Sequence, residues 1–253
     1  MVHRVLGSTE LTVSPIAFGA FKIGRNQGIK YPSDYPLPDQ REVEVLLNGI
    51  LDMGINLIDT APAYGTSEQR IGKAVGQRRG EYILATKIGE RFSNGQSTYD
   101  FSAPGLTESL EQSLRHLKTD AVDLLHIHSD GRDQAILSQT DAVEAILNLK
   151  AQGKTRFVGF SGKTIEGAVD ALPWADTLML EYNPDHRQMS DVIQQAAEQG
   201  VGVLVKKPLG SGHLEPQNAI EQALLLNGVS TLVVGSLSLD HLRQNLGWAM
   251  MAD

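Results

Sequence analysis

The chain contains no cysteine. That excludes disulfides, thiolate metal sites and a cysteine nucleophile, and it suits a reducing, cytoplasmic compartment. Positive charge is also scarce. Lys and Arg number 22 against 30 Asp and Glu, a net charge of −8. Basic runs go no further than Arg78-Arg79 and Lys206-Lys207. A sequence-independent nucleic-acid binder needs a basic face, so that class is disfavoured. No apolar run approaches the length of a membrane span. The opening Met1-Val2-His3-Arg4-Val5-Leu6-Gly7 lacks the apolar core of a signal peptide. A glycine-rich G-x-G-x-x-G turn is missing too. The first strand is followed by Gly19-Ala20-Phe21-Lys22-Ile23-Gly24, which does not match it.

What is present is a regular alternation. The 253 residues are 41% hydrophobic, enough for one large domain with a proper core. Residues 2–13 read as a hairpin, Arg4-Val5-Leu6 and Leu11-Thr12-Val13 flanking a turn. A short buried strand ends at Gly19, and Ala20 to Asp39 show no periodicity. From Asp39, a helix cap, strands and helices alternate. Strands are expected at 55–58, 82–86, 121–127, 155–160, 177–181, 201–205 and 230–234. Helices are expected through Met53 and over 67–78, 104–118, 139–152, 164–172, 189–199, 216–226 and from Ser238 to about Met250. Gly89 to Ala103 reads as a polar loop. With the first strand, this gives eight strand–helix units. The strands are near-continuous apolar runs, as strands buried on both faces should be. The pattern predicts an α/β fold, a closed (β/α)8 barrel behind an N-terminal β-hairpin, in a single domain over 1–253. An open doubly wound sheet is the rival.

In such a barrel, chemistry gathers at the C-terminal ends of the strands. Read in order, that rim carries Asp59 and Tyr64, then Lys87, His128, Ser161, Tyr182 and Asn183, and Lys206 and Lys207. Asp59, Tyr64, Lys87 and His128 form a coherent set. A phenol ionises near pH 10, and a neighbouring ammonium is expected to lower that. A carboxylate keeps the ammonium charged and oriented. A histidine beside the phenol can hydrogen-bond a carbonyl oxygen. Singly, each has a bland reading: a strand-end Asp, a packing Tyr, a surface Lys, a core His. His126 lies on the same strand face as His128. Asp123 and Asp130 read as caps or loop carboxylates.

The whole set resembles the aldo-keto reductase superfamily. Val5-Leu6-Gly7-Ser8-Thr9-Glu10-Leu11-Thr12-Val13-Ser14 is similar to its N-terminal hairpin, and Asp59-x-Ala61-x-x-Tyr64-Gly65 to its first active-site signature. Ala85-Thr86-Lys87 and Asp123-Leu124-Leu125-His126-Ile127-His128 are similar to its lysine and histidine strands. That register selects His128 over His126. The resemblance implies NAD(P)H-dependent reduction of an aldehyde or ketone by direct hydride transfer. Tyr64 would be the acid, Lys87 paired with Asp59 its activator, and His128 the orienting group. No metal is called for. The partners implied are a small carbonyl compound and a nicotinamide dinucleotide.

Cofactor contacts implied by the resemblance are Gly19, Ala20, Phe21, Asp59, Ser161, Lys206, Lys207, Pro208, Leu209, Gly210, Gly235, Ser236, His241 and Asn245. The chain departs from the family on this side. Ser161-Gly162 replaces Ser-Asn, Met179 replaces a Gln, and Lys206 stands where an aromatic ring often stacks. The cations that grip the 2′-phosphate fall on Gly235 and His241, with Arg243 or Lys207 as substitutes. NADP(H) is the family's usual cofactor, and NAD(H) use stays open. Phe21, Tyr64 and His128 would wall the substrate pocket, with the 89–103 loop beside them. Phe92, Tyr99 and Phe101 there read equally as lid or packing. Without a long C-terminal tail the pocket is expected to be open, and Glu90, Asp100, Asp130 and Asp133 to disfavour strongly anionic substrates. Two other classes are weighed. A Schiff-base lyase using Lys87 or Lys206 leaves Asp59 and Tyr64 without roles. A cofactor-sensing regulatory subunit would not need the intact tetrad.

Overall fold

The computed structural model describes residues 3–252. Val2, at the start of the expected hairpin, lies outside them. The described chain opens with β1 (Arg4–Val5) and β2 (Thr12–Val13), paired antiparallel. Then come β3 (Ile16–Gly19), α1 (Gln40–Asp52), β4 (Leu57–Asp59), α2 (Ser67–Ala74) and β5 (Ile83–Ile88). A second hairpin, β6 (Glu90–Ser93) and β7 (Gln96–Tyr99), precedes α3 (Ala103–Leu117). β8 (Val122–His128), α4 (Asp133–Gln139), α5 (Ala142–Ala151), β9 (Thr155–Ser161) and α6 (Ile165–Ala171) follow. The chain closes with β10 (Thr177–Glu181), α7 (Ser190–Glu198), β11 (Gly202–Lys206), α8 (Pro216–Leu224), β12 (Val229–Val234) and α9 (Leu239–Met251).

Eight strands form a closed parallel barrel in the order β3-β4-β5-β8-β9-β10-β11-β12. Closure comes from β12 pairing with β3, Leu232 opposite Ile16. The fold is therefore the (β/α)8 barrel expected, and the open doubly wound sheet is excluded. Strand side chains alternate in direction, which sorts the apolar residues into two cores. Phe18, Ile58, Leu84, Leu125 and Leu180 face outward to the helices. Ala17, Leu57, Ile83, Ala85, Leu124, Met179 and Leu204 face inward. Leu6, Leu11 and Val13 from the N-terminal hairpin join that inner cluster, so the hairpin plugs the barrel. Asp39 caps α1 in a reciprocal capping box with Glu42, as its position predicts.

Three points differ from expectation. Residues 89–103 are not a structureless loop, because β6 and β7 form a hairpin there. Its turn is Asn94-Gly95, with φ of 51° and 78°, the left-handed pair a two-residue hairpin turn requires. The helix expected over 139–152 is α5, and α4 precedes it as a helix that the periodicity does not predict. The helix expected over 67–78 ends at Ala74 and continues as a 3-10 segment over Gly76–Glu81.

Candidate active site

Alternation also builds the site. Two residues beyond inward Leu57 comes Asp59, and two beyond Ala85 comes Lys87. From Leu124 the steps reach His126 and His128, and from Leu204, Lys206. The inner face thus turns from apolar to polar at the C-terminal ends of the strands. Lys87 is fully buried. Its Nζ donates to Asp59 Oδ1 at 2.6 Å, to the Thr60 carbonyl at 2.9 Å and to Tyr64 Oη at 3.2 Å. All three ammonium hydrogens are therefore assigned, and one of them addresses the phenol. The Pro62–Tyr64 turn carries the phenol there. The Tyr64 ring packs edge-on to Phe21 at 5.2 Å between centroids and perpendicular to His128 at 6.4 Å.

Burial dominates the electrostatics. It acts to lower the Lys87 pKa, but attraction to Asp59 and Tyr64 outweighs it, so the ammonium is held above its usual range. Burial pulls the Asp59 carboxyl up against the opposing pull of Lys87. The 2.6 Å contact is that of an ion pair. For Tyr64 the expected lowering does not occur. Burial pushes the phenol up to about 12, more than Lys87 pulls it down, with Asp59 and Glu90 adding to the rise. Tyr64 is thus a fully protonated acid at neutral pH. His128 is held well below its usual value by burial first, then by the charges of Lys87, Lys206 and Lys163. It is a neutral imidazole with one N–H to give. His126, buried beneath it, meets Thr177 Oγ1 at 3.0 Å and has its pKa lowered to about 3, mainly by burial. It is a core histidine. Gly159 makes room for it: a Cβ there would come within 2.9 Å of the His126 ring.

A cavity of about 550 Å³ lies over this cluster, within the usual range for a ligand site. Gly19, Phe21, Asp59, Tyr64, Lys87 and His128 line it, as do Ser161, Lys206, Lys207, Pro208, Leu209 and Gly235. Ala20, Gly210, Ser236, His241 and Asn245 do not line it. The last two belong to α9, where Asn245 is buried. The cavity is partly covered. The Ala20–Asp39 segment roofs it: Tyr31 and Pro32 approach Gly212, and His213 Nε2 lies 3.2 Å from the Lys30 carbonyl. The lining is also cationic. Lys22, its ammonium 3.9 Å above the Tyr31 ring, joins Lys163, Lys206 and Lys207 there. Asp59 and Glu181 line it too, each paired with a lysine, so Lys22 and Lys163 are the cations left to meet an anionic group on a ligand. Of the proposed substitutes for 2′-phosphate recognition, Arg243 pairs with Asp240 at 2.6 Å and Lys207 pairs with Glu181.

Two carboxylates matter more than their sequence reading implied. Glu90 Oε2 lies 3.1 Å from His128 Nδ1, though no hydrogen bond joins them and Nδ1 is left without a partner. Asp133 is buried at the start of α4. Its Oδ2 accepts from the backbone N–H of Lys163 at 2.6 Å and of Thr164 at 2.7 Å, fixing the turn after β9. Asp123 accepts from Arg79 at 2.7 Å and Arg156 at 2.9 Å, away from the site. Phe101 packs on Gly89 and stacks with Tyr99, while Phe92 lies 3.5 Å beneath the Arg25 guanidinium. None of the three lines the cavity.

Several known proteins resemble this chain. The family model described as "Aldo/keto reductase family" matches residues 15–225. An L-galactose dehydrogenase of Arabidopsis thaliana is 34% identical over 86% of this chain and 68% of its own length. The aldo-keto reductase YhdN of Bacillus subtilis is 29% identical over 85% of this chain and 64% of its own. Among solved structures, a putative aldo-keto reductase of Pseudomonas aeruginosa superposes with a TM-score of 0.91 at 43% identity. It covers 99% of this chain and 95% of that one. A holo-form aldo-keto reductase of Bacillus halodurans gives 0.84 at 27% identity, covering 98% and 90%.

Proposed function

We propose, from the premise that the chain belongs to the aldo/keto reductase family of oxidoreductases, that it reduces small aldehydes or ketones with a nicotinamide dinucleotide and that Tyr64 delivers the proton. The observation that carries this reading is the single ammonium of Lys87, which donates at once to Asp59 Oδ1 and to Tyr64 Oη. A reduced nicotinamide supplies hydride when bound. The chain's residues do the rest. A carbonyl oxygen within reach of Tyr64 Oη also comes under the edge of the His128 ring. As negative charge grows on that oxygen, the Tyr64 proton moves to it. Even a phenol of pKa about 12 is a far stronger acid than an alcohol, whose alkoxide is about as basic as hydroxide. The phenolate left behind faces the Lys87 ammonium 3.2 Å away. Asp59 keeps that ammonium charged and aimed. Phe21 closes one wall and keeps water from the phenol.

The cavity's size and its lysines fit a dinucleotide. Gly19, Ala20 and Phe21 would flank it on one side and Ser161 with the Lys206–Gly210 segment on the other. Gly235, Ser236, His241 and Asn245 would meet its far end, where the α9 N-terminus, capped by Ser238, favours a phosphate. With the candidate cations engaged elsewhere, NADPH and NADH are both admitted as cofactors, NADPH first. The unit that carries this function is a single domain over 1–253.

The test is an absorbance assay with NADPH or NADH and a panel of activated aldehydes. Turnover with one of them is expected. Failure with both across the panel removes the reductase reading. Tyr64→Phe should lower kcat by about 10²–10⁴-fold while cofactor affinity, followed by quenching of Trp fluorescence, stays the same. Near-full activity in that variant would mean that another group gives the proton.

A further inference from the structure

Lys206 ends β11 on the floor of the cavity, and its surroundings differ from those of Lys87. Its Nζ lies 2.7 Å from the Gly162 carbonyl and 3.1 Å from Ser161 Oγ. No carboxylate among the described residues pairs with it. Glu181, facing it from β10, is taken by Lys207. Lys87 on β5 and Lys163 after β9 add positive charge, and His126 and His128 on β8 are neutral. Asp59 on β4 is taken by Lys87. The two contacts suit an uncharged amine. Such an amine donates one hydrogen to the Gly162 carbonyl and the other to Ser161 Oγ, and its lone pair is left free. Burial, and then repulsion from Lys207, bring its pKa down to about 7. An amine deprived of its proton by burial and a neighbouring cation is a nucleophile.

We propose that Lys206 is a second reactive site, a free amine that captures small aldehydes as a reversible imine. Its nitrogen lone pair attacks the carbonyl carbon, and the carbonyl π pair moves to oxygen. One proton leaves nitrogen and one reaches oxygen, with the Ser161 hydroxyl 3.1 Å from the nitrogen placed to pass it. The carbinolamine then expels its hydroxyl as water, taking up a proton as nitrogen loses its last, and a C=N bond remains. No electrons enter or leave, and water reverses every step. This chemistry needs no nicotinamide, so it stands or falls separately from the reductase reading.

The test is trapping without any dinucleotide. The protein is held with benzaldehyde at about pH 7 and treated with cyanoborohydride, which reduces the imine to a stable secondary amine. Peptide mapping then locates the label. A lysine ionising at about 7 has roughly 10³-fold more free amine at that pH than one at the usual 10.5. Lower intrinsic nucleophilicity takes back part of that, so Lys206 should be labelled at least about 10-fold faster than exposed Lys73 or Lys118. Lys206→Met and Lys206→Arg should each abolish the dominant adduct, with circular dichroism confirming the fold. If neither variant folds, mapping of the unmodified sequence decides alone. Labelling spread evenly over exposed lysines, or concentrated on Lys87, overturns the proposal.

Discussion

Lys87 and Lys206 open onto one cavity with opposite protonation tendencies, and their contacts explain why. Lys87 touches a carboxylate at 2.6 Å and is held charged. Lys206 touches a carbonyl and a hydroxyl and falls to about 7. Such a lowered pKa bears on stability. Between about 7 and the usual 10.5, the unfolded chain keeps the Lys206 proton while the folded chain has lost it. The unfolded state then binds more protons, so stability rises with pH across that window. Below about pH 7 both states carry the charge, and the folded state bears the full cost of burying it. Lys206→Met keeps the apolar stem and removes the charge. The variant should be more stable than the parent at about pH 6, on the order of 2–4 kcal/mol. Its advantage should shrink as pH rises towards about 10. The two lost hydrogen bonds act as a constant offset at every pH. Urea unfolding at both ends of the range reads the difference. An advantage that does not change with pH would contradict the charge state assigned here.

At the scale of elements, the barrel strands were legible because burial on both faces leaves an apolar run. Asp59, Lys87 and His128 were legible because they stand where those runs stop. What lay between strand and helix was harder to read. The strands β6 and β7 are polar and half-exposed, so no apolar alternation marks them. The Asn94-Gly95 dipeptide was the signal that could have found them. Missing that hairpin hid the approach of Glu90 to His128. Asp133 likewise read as a loop carboxylate, because only the fold brings the turn after β9 onto the start of α4. The net effect of burial on Tyr64 could not be read either, since it depends on Phe21 and His128 from distant segments. Asp133 gives a prediction at this scale. It accepts two backbone N–H groups and the Thr164 hydroxyl. Asp133→Ala leaves those part-buried donors without their carboxylate, a loss of about 1–3 kcal/mol. The turn that presents Gly162 to Lys206 would loosen with it. Urea unfolding should show that loss, and proteolysis should cut first near residues 162–164. Unchanged stability would mean that water replaces the carboxylate.

For the whole molecule, the barrel has two ends with different duties. The rim at the C-terminal strand ends holds the polar cluster. The other end is sealed by the N-terminal hairpin. Leu6 is fully buried there, and its side chain sits so close to β11 that a Cβ on Gly202 would meet it at 2.7 Å. Gly7, at φ of 55°, turns the chain over the same strand. The seal is needed because inward residues such as Leu57, Leu124 and Leu204 would otherwise meet water through the open base. Leu6→Ala removes the apex of the plug without touching the rim. The lost transfer energy and the cavity together should cost about 2–5 kcal/mol. In a domain of this size each kcal/mol lowers Tm by about 2–4 °C, so a fall of roughly 4–20 °C is expected. In the folded variant kcat and KM should match the parent, because the polar cluster is built from the opposite strand ends. Calorimetry and the aldehyde assay on the same preparation separate the two effects. A Tm within about 1 °C of the parent would mean that the hairpin covers the barrel without supporting it. A fall in kcat at unchanged stability would mean that the base of the barrel reaches the rim by a route the packing does not show.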